Sequence, residues 1–237
     1  MMKLIGTAAV LVSLGGVASA GDARELATSA TFTPGILRAT DAGKGFATVY
    51  SDFDGAADAI RVSARGEVNV YWRIRASVLL LDAFSDKPRP GIGAGLRWLD
   101  GDTTSTAYLF FKTEGFTEPE GELEALLAFE HAFGAVHASA NIAYGQDPEG
   151  NECDGELALV AHVEPRTGWF VGGTARYRDA LGSTKEAVIR DGFAGPTTTL
   201  TVGAFALSLN AGIAMAQTRM TARSFGPAGT LSVGAAF

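Results

Sequence analysis

Cysteine is almost absent: the only one in 237 residues is Cys153, so no intramolecular disulfide can staple the chain. It stands in the acidic stretch DPEGNECDG and reads as an incidental loop residue. Past residue 20 there is no run of the roughly 18–20 apolar residues that a membrane-crossing helix requires. A helical membrane domain is therefore excluded, although a membrane protein is not. Basic residues are outnumbered. With the first twenty residues set aside, 18 Lys and Arg face 26 Asp and Glu, a net charge of −8. That balance excludes nucleic acid as a partner. Nothing in the chain calls for a metal or cofactor.

What is present is 47% hydrophobic residues and 30 glycines, with the apolar positions spread in short alternating segments. The opening MMKLIGTAAVLVSLGGVASA joins one early cation, Lys3, an apolar run from Leu4 to Val12, and the small-x-small pattern Ala18-Ser19-Ala20. It reads as a secretory signal peptide over 1–20, cut before Gly21. Residues 21–44 carry no clean period and are expected to form an N-terminal periplasmic extension, leaving 45–237 as the folded domain.

Within that domain the period is two. Ile60, Val62, Ala64, Val68 and Val70 alternate with Arg61, Ser63, Arg65, Glu67 and Asn69. Ile92, Ala94, Leu96 and Trp98 oppose Gly91, Gly93, Gly95 and Arg97. The glycine triplet lacks the spacing of a nucleotide-binding loop and any helical pattern after it, so it reads as a strand with small inward residues. Glu122 to Phe133 could be a helix on propensity, but the turn Ala132–Ala135 into the alternating Val136–Tyr144 makes a hairpin explain both halves. Ala107, Leu109 and Phe111 oppose Tyr108, Phe110 and Lys112, with aromatics on both faces. Short turns are expected near Tyr71, Gly101, Gly134, Arg166 and Ser208, and longer connections near Gly55, Lys87, Glu118, Gly150, Glu186 and Phe225, the longest spanning Asp179 to Pro196. The count is twelve strands, with ten or fourteen open.

The last stretch, GTLSVGAAF, places Leu231, Val233, Ala235 and Phe237 on one face and ends on an aromatic. It resembles the closing strand of bacterial outer-membrane β-barrels. The resemblance implies a transmembrane antiparallel up-and-down β-barrel in a Gram-negative cell outer membrane, with Phe237 as the assembly signal. It also implies contact with outer-membrane lipid and lipopolysaccharide, and passage through the secretion and barrel-assembly machinery. A monomer is expected. An apolar-out, polar-in barrel wall fits this alternation, whereas a secreted soluble β-sandwich would leave an apolar belt in water.

With the apolar faces turned to lipid, the lumen collects Arg61, Arg65, Arg73, Arg75, Arg97, Arg176 and Arg178 with Glu67, Glu124, Glu130 and Glu164. These charges can line a narrow porin-like channel for small ions or solutes, or pair into a plug that closes a structural, surface-interaction barrel. His137, Ser139 and Asn141 supply the residue types of an outer-membrane lipid-modifying enzyme, a phospholipase that this chain resembles in strand number. However, positions i, i+2 and i+4 of one strand lie about 7 Å apart and cannot hydrogen-bond as nucleophile, base and orienter, and Ala140 breaks that family's motif. Asp147, Glu149, Asn151 and Asp154 offer oxygens within one loop but miss calcium-loop spacing. No catalytic or metal residues are expected.

Overall fold

The computed structural model describes residues 43–55, 59–85, 88–99, 103–113, 115–116, 121–148, 153–181, 188–218 and 222–237. The signal peptide and nearly all of the extension lie outside the described residues. The described chain is all strand: β1 (Gly45–Asp54), β2 (Ala59–Tyr71), β3 (Ile74–Leu81), β4 (Arg89–Leu99), β5 (Thr103–Thr113), β6 (Gly121–Phe133), β7 (Val136–Gln146), β8 (Cys153–Arg166), β9 (Trp169–Ala180), β10 (Val188–Val202), β11 (Phe205–Thr218) and β12 (Ser224–Ala236). Each pairs antiparallel with its sequence neighbours, and β1 pairs with β12, so the sheet closes into a twelve-strand barrel. Closure leaves no edge of unpaired N–H and C=O groups, which a wall in hydrocarbon could not tolerate.

The alternation dictates the faces. Ile60, Val78, Ile92, Leu109, Ile142, Leu159, Leu209 and Ile213 point outward and are exposed, whereas Arg65, Glu67, Arg75, Arg97 and Glu130 point inward and are buried. Tyr71, Trp72, Trp98, Phe133 and Trp169 ring one outer rim, and Phe53, Tyr144, Tyr177 and Phe225 the other, the aromatic girdles of a wall that crosses two interfaces. The first rim holds the two-residue turns, of which Gly134, Gly168 and Gly203 adopt positive φ, as does Trp72. The Glu122–Phe133 segment is strand, as its hairpin partner requires.

Two expectations are corrected at the C-terminal third. The connection expected from Asp179 to Pro196 is mostly sheet: β9 runs to Ala180 and β10 begins at Val188. Pro196 stands inside β10 on the outer face. Lacking an N–H, it is accommodated where the β10–β11 ladder skips from Ala194↔Ile213 to Thr197↔Asn210, while its pairing to Gly173 of β9 holds. The turn expected near Ser208 lies instead at Gly203–Ala204, where Gly203 has φ +59°. Because the hairpin reverses there, Ala206 faces the lumen rather than lipid. Cys153 is also no loop residue: it opens β8 opposite Gln146, and its Sγ contacts the Leu181 carbonyl.

The closing seam is in register from Phe46↔Ala236 to Asp54↔Ala228. Gly45 and Phe237 exchange two backbone hydrogen bonds of 2.9 Å. A Cβ on Gly45 would stand 2.8 Å from Phe237 Cζ, so the terminal ring lies over a position that only glycine can fill.

Candidate functional site: the lumen

The inner wall is built unevenly. On one side, β1–β5 carry a shelf of charged and aromatic side chains centred on Glu67. Its Oε2 accepts from Arg65 Nη2 and from Ser77 Oγ at 3.1 Å, and its Oε1 accepts from Arg75 Nη1 at 3.1 Å and Tyr108 OH at 3.0 Å. Glu67 and Arg75 are 2% and 1% exposed. A carboxylate so withdrawn from water is tolerable because every lone pair meets a donor and two cations oppose its charge. The Arg65 guanidinium also lies 5.7 Å from the Phe46 ring centre and 5.5 Å from those of Tyr108 and Phe110, within cation–π range.

The shelf exists because β4 is glycine-rich on its inner face. Gly93 faces Phe110 across the β4–β5 pair, and Gly95 faces Tyr108. Cβ atoms there would come within 2.3 Å of Phe110 Cδ1 and 2.5 Å of Tyr108 Cε1. The two rings stack at 5.6 Å and 15° over bare backbone, and the Tyr108 hydroxyl can then cross β4 and β3 to Glu67. Leu126, Ala128 and Ala143 complete the apolar side of this cluster.

The opposite wall carries mostly small polar side chains, apart from Phe170 of β9 and from Phe193 of β10, which packs on Ala214 and Ala228. Thr174 of β9, Thr199 of β10, Ser208 and Asn210 of β11, and Thr230 and Ser232 of β12 face inward. Thr199 and Ser208 hydroxyls hydrogen-bond at 2.7 Å, and Thr230 Oγ1 donates to Asp52 Oδ1 at 2.6 Å.

At the long-loop end the inward charges pair across neighbouring strands. Arg176 bridges Glu156, at 3.2 Å, and Asp191; Arg178 bridges Asp154 and Asp191, the latter at 3.5 Å; Lys112 contacts Glu124 and lies 3.9 Å from Glu122. These side chains remain 14–32% exposed, so the pairs form a wetted mouth rather than a dry core.

Most of the sequence-predicted set therefore shares one inner surface, at three levels. Arg65, Glu67, Arg75, Arg97 and Glu130 lie toward the short-turn end and Glu124, Arg176 and Arg178 at the mouth, while Arg61 stands at the long-loop rim, exposed and 3.9 Å from Asp82. Glu164 accepts the Gly168 N–H at 2.7 Å and fastens the β8–β9 turn. Arg73 does not join the lumen: it sits in the β2–β3 turn with its guanidinium 5.1 Å over the Trp72 ring. Of the loop oxygens, Asp154 is committed to Arg178, and Glu149 and Asn151 lie outside the described residues. His137, Ser139 and Asn141 occupy the inner face of β7, where His137 stacks on His162. Phe46, Tyr108, Phe110, His162, Phe170 and Phe193 are inner-wall residues that sequence reasoning did not single out. For Tyr108 and Phe110 the facing Gly93 and Gly95 were the available signal.

A closed antiparallel barrel with an apolar, girdled exterior and a polar, charged interior is a transmembrane β-barrel of the outer-membrane type. Solved structures share the fold. An outer membrane channel from Pseudomonas putida F1 superposes with a TM-score of 0.59 at 10% identity, covering 87% of this chain and 100% of that one. The NanC porin gives 0.54 at 9% identity, covering 81% and 98%. No family model matches the sequence, and no curated protein matches it.

Proposed function

We propose that the barrel is a narrow porin-like channel for small ions or hydrophilic solutes, with the passage running along the hydroxyl wall of β9–β12 and beside the Arg65–Glu67–Arg75 shelf. The observation that carries this reading is that polar inner-face residues stand at every level from the ion-paired mouth to the short-turn end, with the apolar patch of Phe193, Ala214 and Ala228 confined to β10–β12, inside a wall that is apolar outside. Such a lining replaces water hydrogen bonds along the route while the wall keeps lipid out. Arg65, Arg75 and Arg97 give the lower lumen cations that a permeating ion must pass, with Arg61, Arg176 and Arg178 above them. In this reading the barrel works as a monomer set in lipid and lipopolysaccharide, delivered by the secretion and barrel-assembly machinery with Phe237 as the signal that machinery reads. The outward Arg190–Asp179 pair, at 3.0 Å, faces the headgroup region of the long-loop rim.

A second reading, a closed structural or surface-interaction barrel, draws on the depth at which Glu67 and its donors are buried. An enzyme draws no support from His137 and Ser139, which are two residues apart on one strand. Single-channel recording in planar bilayers decides. Discrete conductance steps whose ion selectivity shifts toward cations in Arg65→Ala or Arg75→Ala are expected, and silence across salts and voltages would leave the closed barrel standing.

A further inference from the structure

The three histidines divide by face. His131 points to the outside of β6, where its Nδ1 shares a 2.7 Å hydrogen bond with Thr103 Oγ1 and its ring meets Phe133 edge-on. His137 and His162 are directly opposed on β7 and β8 and face the lumen near its short-turn end. Their rings are parallel within 7°, with centroids 5.5 Å apart, and Phe170 of β9 closes edge-on against His162 at 5.3 Å.

This pair is unsatisfied. His137 Nδ1 and His162 Nε2 are both buried without a hydrogen-bond partner, and His162 is only 5% exposed. Each such nitrogen forfeits its hydrogen bond to water, a loss that a bound ligand would make good. The strands beside the pair crowd it little: Ala132 stands opposite His137 on β6 and Gly172 opposite His162 on β9.

We propose that His137 and His162 bind one divalent transition-metal ion of the zinc or copper type inside the barrel. Imidazole nitrogen suits Zn2+, Cu2+ and Ni2+, with metal–nitrogen distances of about 2.0–2.1 Å for zinc. Directly opposed residues of antiparallel strands hold their Cβ atoms about 4.5–5.5 Å apart, a span over which two imidazoles can reach one ion. The stacked rings must first turn about their Cβ–Cγ bonds, a torsion with a broad, shallow preference. Water completes the coordination. Glu164, two residues beyond His162, supplies a carboxylate that offsets the added positive charge.

The test is direct metal titration, independent of any transport assay. Zn2+ or Cu2+ titrated into the folded barrel in detergent and followed by calorimetry should show one site per chain. His137→Ala and His162→Ala should each weaken binding by about tenfold or more, while His131→Ala and Cys153→Ser leave it unchanged. Electron paramagnetic resonance of the Cu2+-loaded protein should show two imidazole nitrogens, and one in each single variant. Heat-modifiable gel migration checks that variants fold, with His137→Gln and His162→Asn as replacements for one that does not. Metal binding that survives both substitutions, or none above the detergent blank, overturns the proposal.

Discussion

Replacing Glu67 tests whether the shelf is a dry, interlocked structure. Glu67→Ala removes the acceptor of four side-chain hydrogen bonds and leaves Arg65 and Arg75 without their carboxylate. Both arginines are at most 5% exposed. Breaking a buried ion pair from one side costs about 3–5 kcal/mol, against about 0–1 kcal/mol for a solvated pair, so the size of the loss reads the environment. Urea unfolding in lipid vesicles, followed by tryptophan fluorescence and extrapolated linearly, is a suitable assay. All three tryptophans, Trp72, Trp98 and Trp169, sit on the outer short-turn rim and report whether that rim is inserted. Glu67→Gln keeps one acceptor and the volume, and should lose less than Glu67→Ala. Converting Arg65, Glu67 and Arg75 together to Met should recover most of the loss, because no buried charge is then left alone. A loss below about 1 kcal/mol for Glu67→Ala, or a triple variant no better than the single one, would refute the interlocked shelf.

Other substitutions probe the remaining supports. Gly95→Val should cost about 1–3 kcal/mol by overpacking against Tyr108, whereas Gly173→Ala, whose added methyl would find only the Gly195 carbonyl at 3.9 Å, should stay within about 0.5 kcal/mol; equal urea midpoints for the two would count against the glycine argument. Gly203→Val forces a β-branched residue to φ +59° and should cost about 1–2 kcal/mol by the same assay, with an unchanged midpoint placing the β10–β11 turn elsewhere. Deleting Phe237 should lower the amount of heat-modifiable barrel in the membrane fraction without altering the conductance of the molecules that do insert; normal yields would remove its role in assembly.

The strand pattern was legible because one face of nearly every strand is apolar, and a slip of one residue would bury Arg65 or Glu67 in lipid. The barrel's closure was legible from GTLSVGAAF, whose partner near Phe46 the register bears out. Legibility failed where two rules met. Arg190, Asp191, Gly192, Gly195 and Pro196 carry the composition of a loop, yet near the long-loop rim a strand can hold ion pairs above the hydrocarbon, and a proline on the outer face costs the sheet only a local gap in one ladder. Leu200, Val202, Ala204 and Ala206 alternate straight through a two-residue turn, so the period alone could not find it; Gly203 could. Arg73 shares the parity of Arg75, but the two-residue turn takes it out of the strand. The faces of β5 were undecidable from that strand by itself, since aromatics occupy both. What assigns Tyr108 and Phe110 to the lumen is the space left by Gly93 and Gly95 on the neighbouring strand, which is information of pairing rather than of sequence order.

That pairing also fixes where a passage can lie. A ring folded flat over glycine backbone projects along the wall, and the Tyr108 hydroxyl then ties β5 to β2 through Glu67 while Arg65 reaches from Phe46 of β1 to Phe110 of β5. Side chains of four strands, β1, β2, β3 and β5, are thereby joined over the glycines of β4. On β9–β12 most inward residues are Thr, Ser, Asn, Ala and Gly, which stop short, and the buried rings are Phe170, against His162, and Phe193, against Ala214 and Ala228. In the proposed channel the route lies off-centre, between donors from the shelf on one side and hydroxyls on the other. Bulk added at Ser208 should then obstruct it, while Tyr108→Ala, which removes the shelf's far anchor, should widen it. Conductance that falls in neither or rises in neither would mean that solute does not travel between these two walls.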